Sequence, residues 1–245
     1  MCSVEKRGNI FILTLKSDDN NDEHRLNPTL IATIRSAIAD IKSQSICEPQ
    51  TPFALITTAT GKFFSNGFDL KWAQSQPGKF VNHLHQMVES FKPLVADLVS
   101  LPMPTIAAIN GHAAAGGFAL ALAHDYVVMR KDRGVLYMSE VDIGMTFPEY
   151  FNVLFREKVG WKWRREIMMR GMKLKGEDGV KMGVVDQVVV GINGDEVLEK
   201  GLKLGEDLLK KKWNGEVYCE IRKGLYPDLC NELGLIRKNV IVPRL

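Results

Sequence analysis

Long apolar runs are missing from this chain; no stretch approaches the roughly 20 residues of a membrane-spanning helix. Cysteine is scarce. Cys2, Cys47, Cys219 and Cys230 show neither CxxC nor metal-ligand spacing, which reads as free thiols in a reducing compartment. Charge of one sign is not in excess either: 32 Lys and Arg against 29 Asp and Glu leave a net +3, too little to argue for nucleic acid. The short Lys210-Lys211-Lys212 run does not change that. Glu5, Lys6 and Arg7 interrupt the N-terminus before any apolar core, so a signal peptide is not expected. No Ser-His-Asp set can be assembled, and His83 and His85 read as exposed or satisfied helix residues, which leaves nucleophilic catalysis without support. What is present is 245 residues, 45% hydrophobic and 25% charged, enough for one globular domain with at most a small appended element.

The chain is organised around PTIAAINGHAAAGGFALALAHD, Pro104 to Asp125. Thr105–Ile109 is a short β-branched and apolar run, long enough for a buried strand and too short for a helix. Asn110-Gly111 breaks it, and Gly116-Gly117 opens the helix-forming segment Phe118–Ala123. Strand, small-residue loop and helix start leave backbone N–H groups unpaired beside the positive end of a helix dipole. Such groups hold a phosphate, a carboxylate, or an oxygen that turns negative during a reaction. Taken alone, the motif fits close packing of a core helix on a strand slightly better.

A second unit of the same kind changes that weighing. GKFFSNGFDL, Gly61 to Leu70, follows the apolar strand Ala54–Thr58. Ser65-Asn66-Gly67 is turn chemistry, and Asp69 is placed to cap a helix that restarts after Phe68. Two loops, each with free N–H groups, are what an oxyanion hole needs.

Elsewhere the pattern is α/β, strands alternating with helices. Val4–Lys6 and Ile10–Leu15 around Arg7-Gly8-Asn9 read as a hairpin. The polar run Lys16–Arg25 reads as a loop, and Asn27-Pro28 starts a helix with Leu30, Ile31, Ile34, Ile38 and Ile41 on one face. Gln74–Lys79 is a second loop. A helix over Phe80 to Leu101 carries Leu84, Met87, Val88, Phe91, Val95 and Leu98, with Pro93 expected to kink or divide it. Short strands follow at Tyr126–Met129 and Val135–Tyr137, then helices at Glu149–Val159, Asp195–Lys212 and Glu216–Leu225.

FFSNGFDL followed by PTIAAINGHAAAGGFALALAHD resembles the enoyl-CoA hydratase/isomerase, or crotonase, superfamily. The similarity continues through SEVDIGMTFPEYF and MRGMKLKGEDGVKMGVVDQVV, so it spans about Val4 to Val190. It implies a spiral of repeated ββα units: a catalytic, acyl-CoA-binding core over 1–190, and a C-terminal helical region over 191–245 that packs homotrimers or hexamers. No internal sequence repeat supports the spiral independently. It implies an acyl-CoA thioester as substrate, with coenzyme A part of that substrate and no separate cofactor or metal. The oxyanion donors would be the N–H groups of Phe68 and Gly116. Arg25 and Leu26 fall where the family passes its backbone beside the adenine of CoA. Ser65, Asn66, Gly67, Asp69, Leu70 and Gly117 would shape the substrate loops, and Phe147 would be a wall.

Hydratases of the family resemble one another in carrying two glutamates. One stands two residues after the last glycine of the Gly-rich loop, and here that position is Ala119. The other precedes an aliphatic-x-aliphatic-Gly run, and here Glu140 stands before Val141-Asp142-Ile143-Gly144. One carboxylate suffices for a double-bond shift, which needs a base but no water. The resemblance is therefore to Δ3,Δ2-enoyl-CoA isomerases, with Glu140 as base in an apolar setting of Phe64, Phe68, Met138 and Phe147. Other isomerases of the superfamily place a glutamate four residues after the glycine. Glu149 stands five after Gly144, so it is the alternative base; as a bland alternative it favours the dipole of its own helix. Asp142 reads as surface, alternating away from Glu140 in an extended segment. Hydration, thioester hydrolysis and a catalytically silent acyl-CoA-binding protein stay open. The chain ends Pro243-Arg244-Leu245, close to the S-K-L address, which implies a peroxisomal import receptor as partner.

Overall fold

The computed structural model describes residues 1–16, 22–75, 77–191 and 195–243. β1 (Cys2–Arg7) and β2 (Ile10–Leu15) form the expected antiparallel hairpin, Cys2 opposite Leu15. In α1 (Pro28–Cys47), the Asn27 side chain accepts the Leu30 N–H at 2.9 Å, and Leu30, Ile31, Ile34, Ile38 and Ile41 are all buried. The cap-then-proline signal and the apolar stripe act as read.

From there the chain alternates between two sheets. β3 (Ala54–Ala59) joins a large sheet and β4 (Phe63–Ser65) a small one, followed by α2 (Leu70–Ala73) and α3 (Phe80–Val99). β5 (Thr105–Ile109) and β6 (His112–Ala114) repeat the step before α4 (Gly116–Leu122). β7 (Tyr126–Arg130) and β8 (Leu136–Tyr137) repeat it again before α5 (Glu149–Lys158). Three ββα turns thus follow one another as structure, although no sequence repeat marks them. The chain continues through α6 (Trp161–Arg170), α7 (Gly176–Lys181), β9 (Gln187–Val189), α8 (Asp195–Leu209), α9 (Gly215–Leu225) and α10 (Pro227–Glu232).

The large sheet has the order β1-β2-β3-β5-β7-β9 and is parallel from β2 onward. Strand side chains alternate between faces. Phe11, Leu13, Leu55, Ala107 and Met129 point into the main core, while Ile10, Ile12, Ile56, Ile106, Ala108 and Val128 face Val197 and Leu202 of α8. Both faces being covered explains why these strands read as continuous apolar runs. The small sheet, β4-β6-β8, is parallel throughout.

Three expectations change. Phe63–Ser65 and His112–Ala114 read as parts of loops and are short strands of the small sheet. Pro93 does not divide its helix: α3 runs unbroken from Phe80 to Val99. Residues 140–144 form a turn rather than an extended segment, so alternation does not apply to Asp142, which is exposed all the same. Residues 17–21 of the first loop, position 76 of the second, and Arg244 and Leu245 of the terminal tripeptide lie outside the described residues. Among the described residues no helix is long and apolar enough to cross a membrane.

α9 is tied to the core by a buried ion pair. Arg222 of α9 donates from Nε to Asp125 Oδ1 at 2.6 Å and from Nη1 to the Leu101 carbonyl at 2.7 Å. Asp125 also accepts the Thr105 N–H at 3.0 Å and the Tyr218 hydroxyl at 3.2 Å. Burial pushes the Asp125 carboxyl up, and the Arg222 guanidinium outweighs it, leaving its pKa below the ordinary value. Removing one partner strands the other charge. Asp125→Ala is expected to cost about 3–5 kcal/mol of stability at pH 7, read as a lower urea midpoint; a midpoint within error of the parent would refute the clamp.

Candidate active site

The three parallel strands of the small sheet end side by side, and each releases one element of the site. β4 ends at Ser65 and leads to Gly67-Phe68; β6 ends at Ala114 and leads to Gly116; β8 ends at Tyr137 and leads to Glu140. Pairing of Ala114 with Tyr137, and an Ala115 N–H donated to the Tyr137 carbonyl at 2.8 Å, fix the second and third elements together. Parallel sheets place their ligand sites at the carboxyl ends of strands for this reason.

The two loops meet backbone to backbone. Gly67 has φ +71°, and a Cβ on it would lie 2.9 Å from the Ala114 carbonyl oxygen and 3.4 Å from the Gly116 nitrogen. A Cβ on Gly117 would sit 2.3 Å from the Ser65 carbonyl oxygen. Gly117 therefore serves the contact between loops, where a side chain would not fit. Ala115, just before Gly116, holds φ +48°, the left-handed region that a side chain disfavours. Strain stored here turns the peptide at the entrance to α4. Among the described residues no acceptor takes the N–H of Phe68 or of Gly116. Both expected donors are thus unspent. Asp69 caps α2 by accepting the Trp72 N–H at 3.0 Å, as anticipated, and Leu70 is half-buried beneath it.

The segment at 23–26 was missed as structure. Leu26 bridges Phe68 in parallel: its N–H goes to the Gly67 carbonyl at 2.8 Å, and its carbonyl accepts the Asp69 N–H at 3.1 Å. Asn66 donates its N–H to the Glu23 carbonyl at 2.7 Å, and Ser65 Oγ donates to the His24 carbonyl at 2.8 Å. His24, with φ +45°, is buried; Nε2 donates to the Thr60 carbonyl at 2.9 Å, and Nδ1 is an acceptor with no partner among the described residues. Burial lowers its pKa. Arg25 pairs with Glu23 at 2.6 Å and stays half-buried at the rim. A polar stretch without periodicity gave no signal for this extra edge.

Glu140 is 6% exposed, and its Oε2 has no partner among the described residues. Desolvation pushes its pKa up to about 7, opposed by the N–H groups of Glu140 and Ser139. Met138 and Phe64 are fully buried, and Phe147 is half-buried against the core. Glu149 does not share this setting. It is exposed in the first turn of α5, taking a 3.2 Å bond from Asn152 Nδ2. Ala119 is wholly buried in α4, so hydrocarbon stands where the second hydratase glutamate would. Among the described residues no cluster of His, Cys, Asp or Glu is placed to hold a metal ion.

Residues 6–217 match the family model described as enoyl-CoA hydratase/isomerase. The chain belongs to the enoyl-CoA hydratase/isomerase family. Over 248 aligned residues, covering all of both chains, it is 56% identical to "Enoyl-CoA delta isomerase 2, peroxisomal" of Arabidopsis thaliana. It is 54% identical to "Enoyl-CoA delta isomerase 3" of the same plant, over 98% of each chain. A solved enoyl-CoA hydratase/isomerase family protein from Pseudomonas syringae shares the fold at a TM-score of 0.82, with 22% identity over 95% of this chain and 93% of that one.

A buried acid held at about 7 opposes folding once ionised. Between its unfolded value near 4.5 and about 7, the folded state binds the extra proton, so stability falls as pH rises through that window. Glu140→Gln is expected to raise the melting temperature at pH 8 by an amount equivalent to roughly 1–3 kcal/mol. The difference should vanish near pH 4.5, and a gain independent of pH would show that Glu140 is not the group responsible.

Proposed function

We propose that this chain is an isomerase that shifts the double bond of a 3-enoyl-CoA to give the trans-2-enoyl-CoA in peroxisomal fatty-acid β-oxidation. The observation that carries the reading is a buried carboxylate, Glu140, with raised pKa and no ion-pair partner among the described residues, on the same strand-end edge as two unspent backbone donors. The names of the two plant relatives agree with it. Ala119 speaks against hydration, because nothing at that position activates water.

The chemistry then needs little. The thioester carbonyl oxygen faces the Phe68 and Gly116 N–H groups. Glu140 removes a proton from C2, the electron pair delocalises onto that oxygen as a dienolate, and the two donors hold the charge. Each such donor is worth about 2.7–4 kcal/mol of barrier in comparable acyl chemistry. Returning the same proton to C4 moves the double bond between C2 and C3, so atoms and charge balance with no water consumed. Near pH 7 an acid with pKa about 7 is both a competent base and a competent proton donor. Coenzyme A enters as part of the substrate, its adenine beside Arg25 and Leu26, and no separate cofactor is needed. Ile221 and Leu225 leave apolar surface exposed on α9, compatible with homotrimers that stand alone or pair as hexamers. Pro243-Arg244-Leu245 would be read by the import receptor.

Purified protein given 3-hexenoyl-CoA is expected to form the 2-enoyl product, and given 2-enoyl-CoA to leave it unhydrated. Glu140→Gln should lose at least about 1000-fold in kcat while CoA affinity changes less than about twofold. In the parent, kcat/KM should rise with pH through about 7 and level above it, as Glu140 ionises. Strong hydration, or an unaffected Glu140→Gln, would overturn the reading, the latter in favour of Glu149.

A further inference from the structure

Both oxyanion donors are main-chain groups, so their separation must be set by what the backbone rests on. Phe68 brings a side chain as well as an N–H, and the residue is only 9% exposed. Its ring edge faces the other donor: a Cβ built on Gly116 would make ordinary contact with Phe68 Cε2 at 3.5 Å and Cδ2 at 3.6 Å, and would meet Leu26 Cδ1 more tightly at 3.2 Å. On its other sides two rings hold it: Phe151 of α5, stacked at 6.2 Å and 11°, and Phe91 of α3, edge to face at 5.6 Å and 85°. Phe91 and Phe151 meet each other at 5.9 Å. Tyr150 closes the group 4.9 Å from Phe151, and its hydroxyl donates to the Val88 carbonyl of α3 at 2.8 Å. Two helices thus pack around one ring that belongs to the first donor residue and faces the second.

We propose that the Phe68 side chain is the spacer that sets the distance between the two oxyanion donors, and that Phe91 and Phe151 are positioning residues acting through it. The inference rests on reading the Phe68 and Gly116 N–H groups as the oxyanion hole. Donors stabilise the anion only when both lie about 2.7–3.1 Å from the place where its charge develops. A misplacement of about 1 Å costs on the order of 100-fold in rate. Planar rings packed edge to face and stacked fix one orientation, whereas an aliphatic side chain of similar volume lets the loop settle. Phe151 also belongs to the helix that follows the Glu140 turn, so the hole and the base share a support.

The test uses Phe68→Leu, Phe91→Leu and Phe151→Leu in the full chain; all keep the backbone N–H groups and an apolar core. Each is expected to lower kcat for 3-hexenoyl-CoA about tenfold or more, with KM within about twofold of the parent. Affinity for acetoacetyl-CoA, followed by absorbance of its bound enolate, should fall in parallel, since that enolate places a real oxyanion between the donors. Affinity for free CoA, which has no thioester carbonyl, should not move. A lower melting temperature with kcat and enolate affinity unchanged would make the cluster merely structural and overturn the proposal. A higher KM at constant kcat would overturn it too, making the ring a wall of the acyl pocket. Should Phe151→Leu fail to fold, Phe68→Met alters the spacer alone and decides. A parent that binds the enolate without isomerising would refute the isomerase reading, while the enolate affinities of the variants would still judge the spacer.

Discussion

Three short parallel strands have to end on the same level for this site to exist, and their backbones have to come closer than side chains allow. Ser65, Ala114 and Tyr137 close β4, β6 and β8, and the chain beyond each contributes one piece of chemistry. Gly67 and Gly117 are the points of contact, where an added Cβ would run into the carbonyl oxygens of Ala114 and Ser65. Much else follows from that approach. The strained Ala115, the bridge from Leu26 to Phe68 and the Ser65 bond to the His24 carbonyl each brace one side of the junction. Packing at this density is stiff, which suits donors that must already be aimed before any charge appears.

The same junction accepts electrostatic cost. Glu140 lies buried with an unpartnered oxygen, a placement that a protein selected for stability alone would avoid. What burial gives in return is a carboxylate whose affinity for a proton matches neutral pH, as the proposed transfer of a proton from and back to carbon requires. Stability is supplied elsewhere, by the apolar contacts on both faces of the large sheet and by the Arg222–Asp125 clamp that draws α9 onto the core. Function and stability thus occupy different parts of one fold.

Features with a local cause were legible in the sequence. The Asn27 cap, the isoleucine stripe of α1, the Arg7-Gly8-Asn9 hairpin and the Asp69 cap each depend on a few neighbouring residues, and each stands where it was read. The two Gly-rich loops were recognisable as a pair, and the apolar setting read for Glu140 and the first-turn position read for Glu149 are where the two residues stand. The small sheet was legible only in part. Leu136–Tyr137 stands inside the strand read at Val135–Tyr137, but FFS and HAA are too short to show a period of two, and the three strands are joined only by pairing across long separations. His24 was hidden for a related reason: a loop histidine shows its role only once Thr60 and Ser65 lie beside it. Pro93 misled in the other direction, since packing along α3 overrides the local preference to break.

In the proposed mechanism one buried carboxylate, Glu140, carries the proton from C2 to C4. The direct measurement is the fate of deuterium when a 3-enoyl-CoA dideuterated at C2 is turned over in ordinary water and the 2-enoyl product is analysed by mass spectrometry and NMR at early times. A shielded Glu140 predicts that a substantial share of the product carries deuterium at C4. Complete loss of that label to solvent from the first turnovers would contradict it, and would mean that a second group or a water molecule delivers the proton.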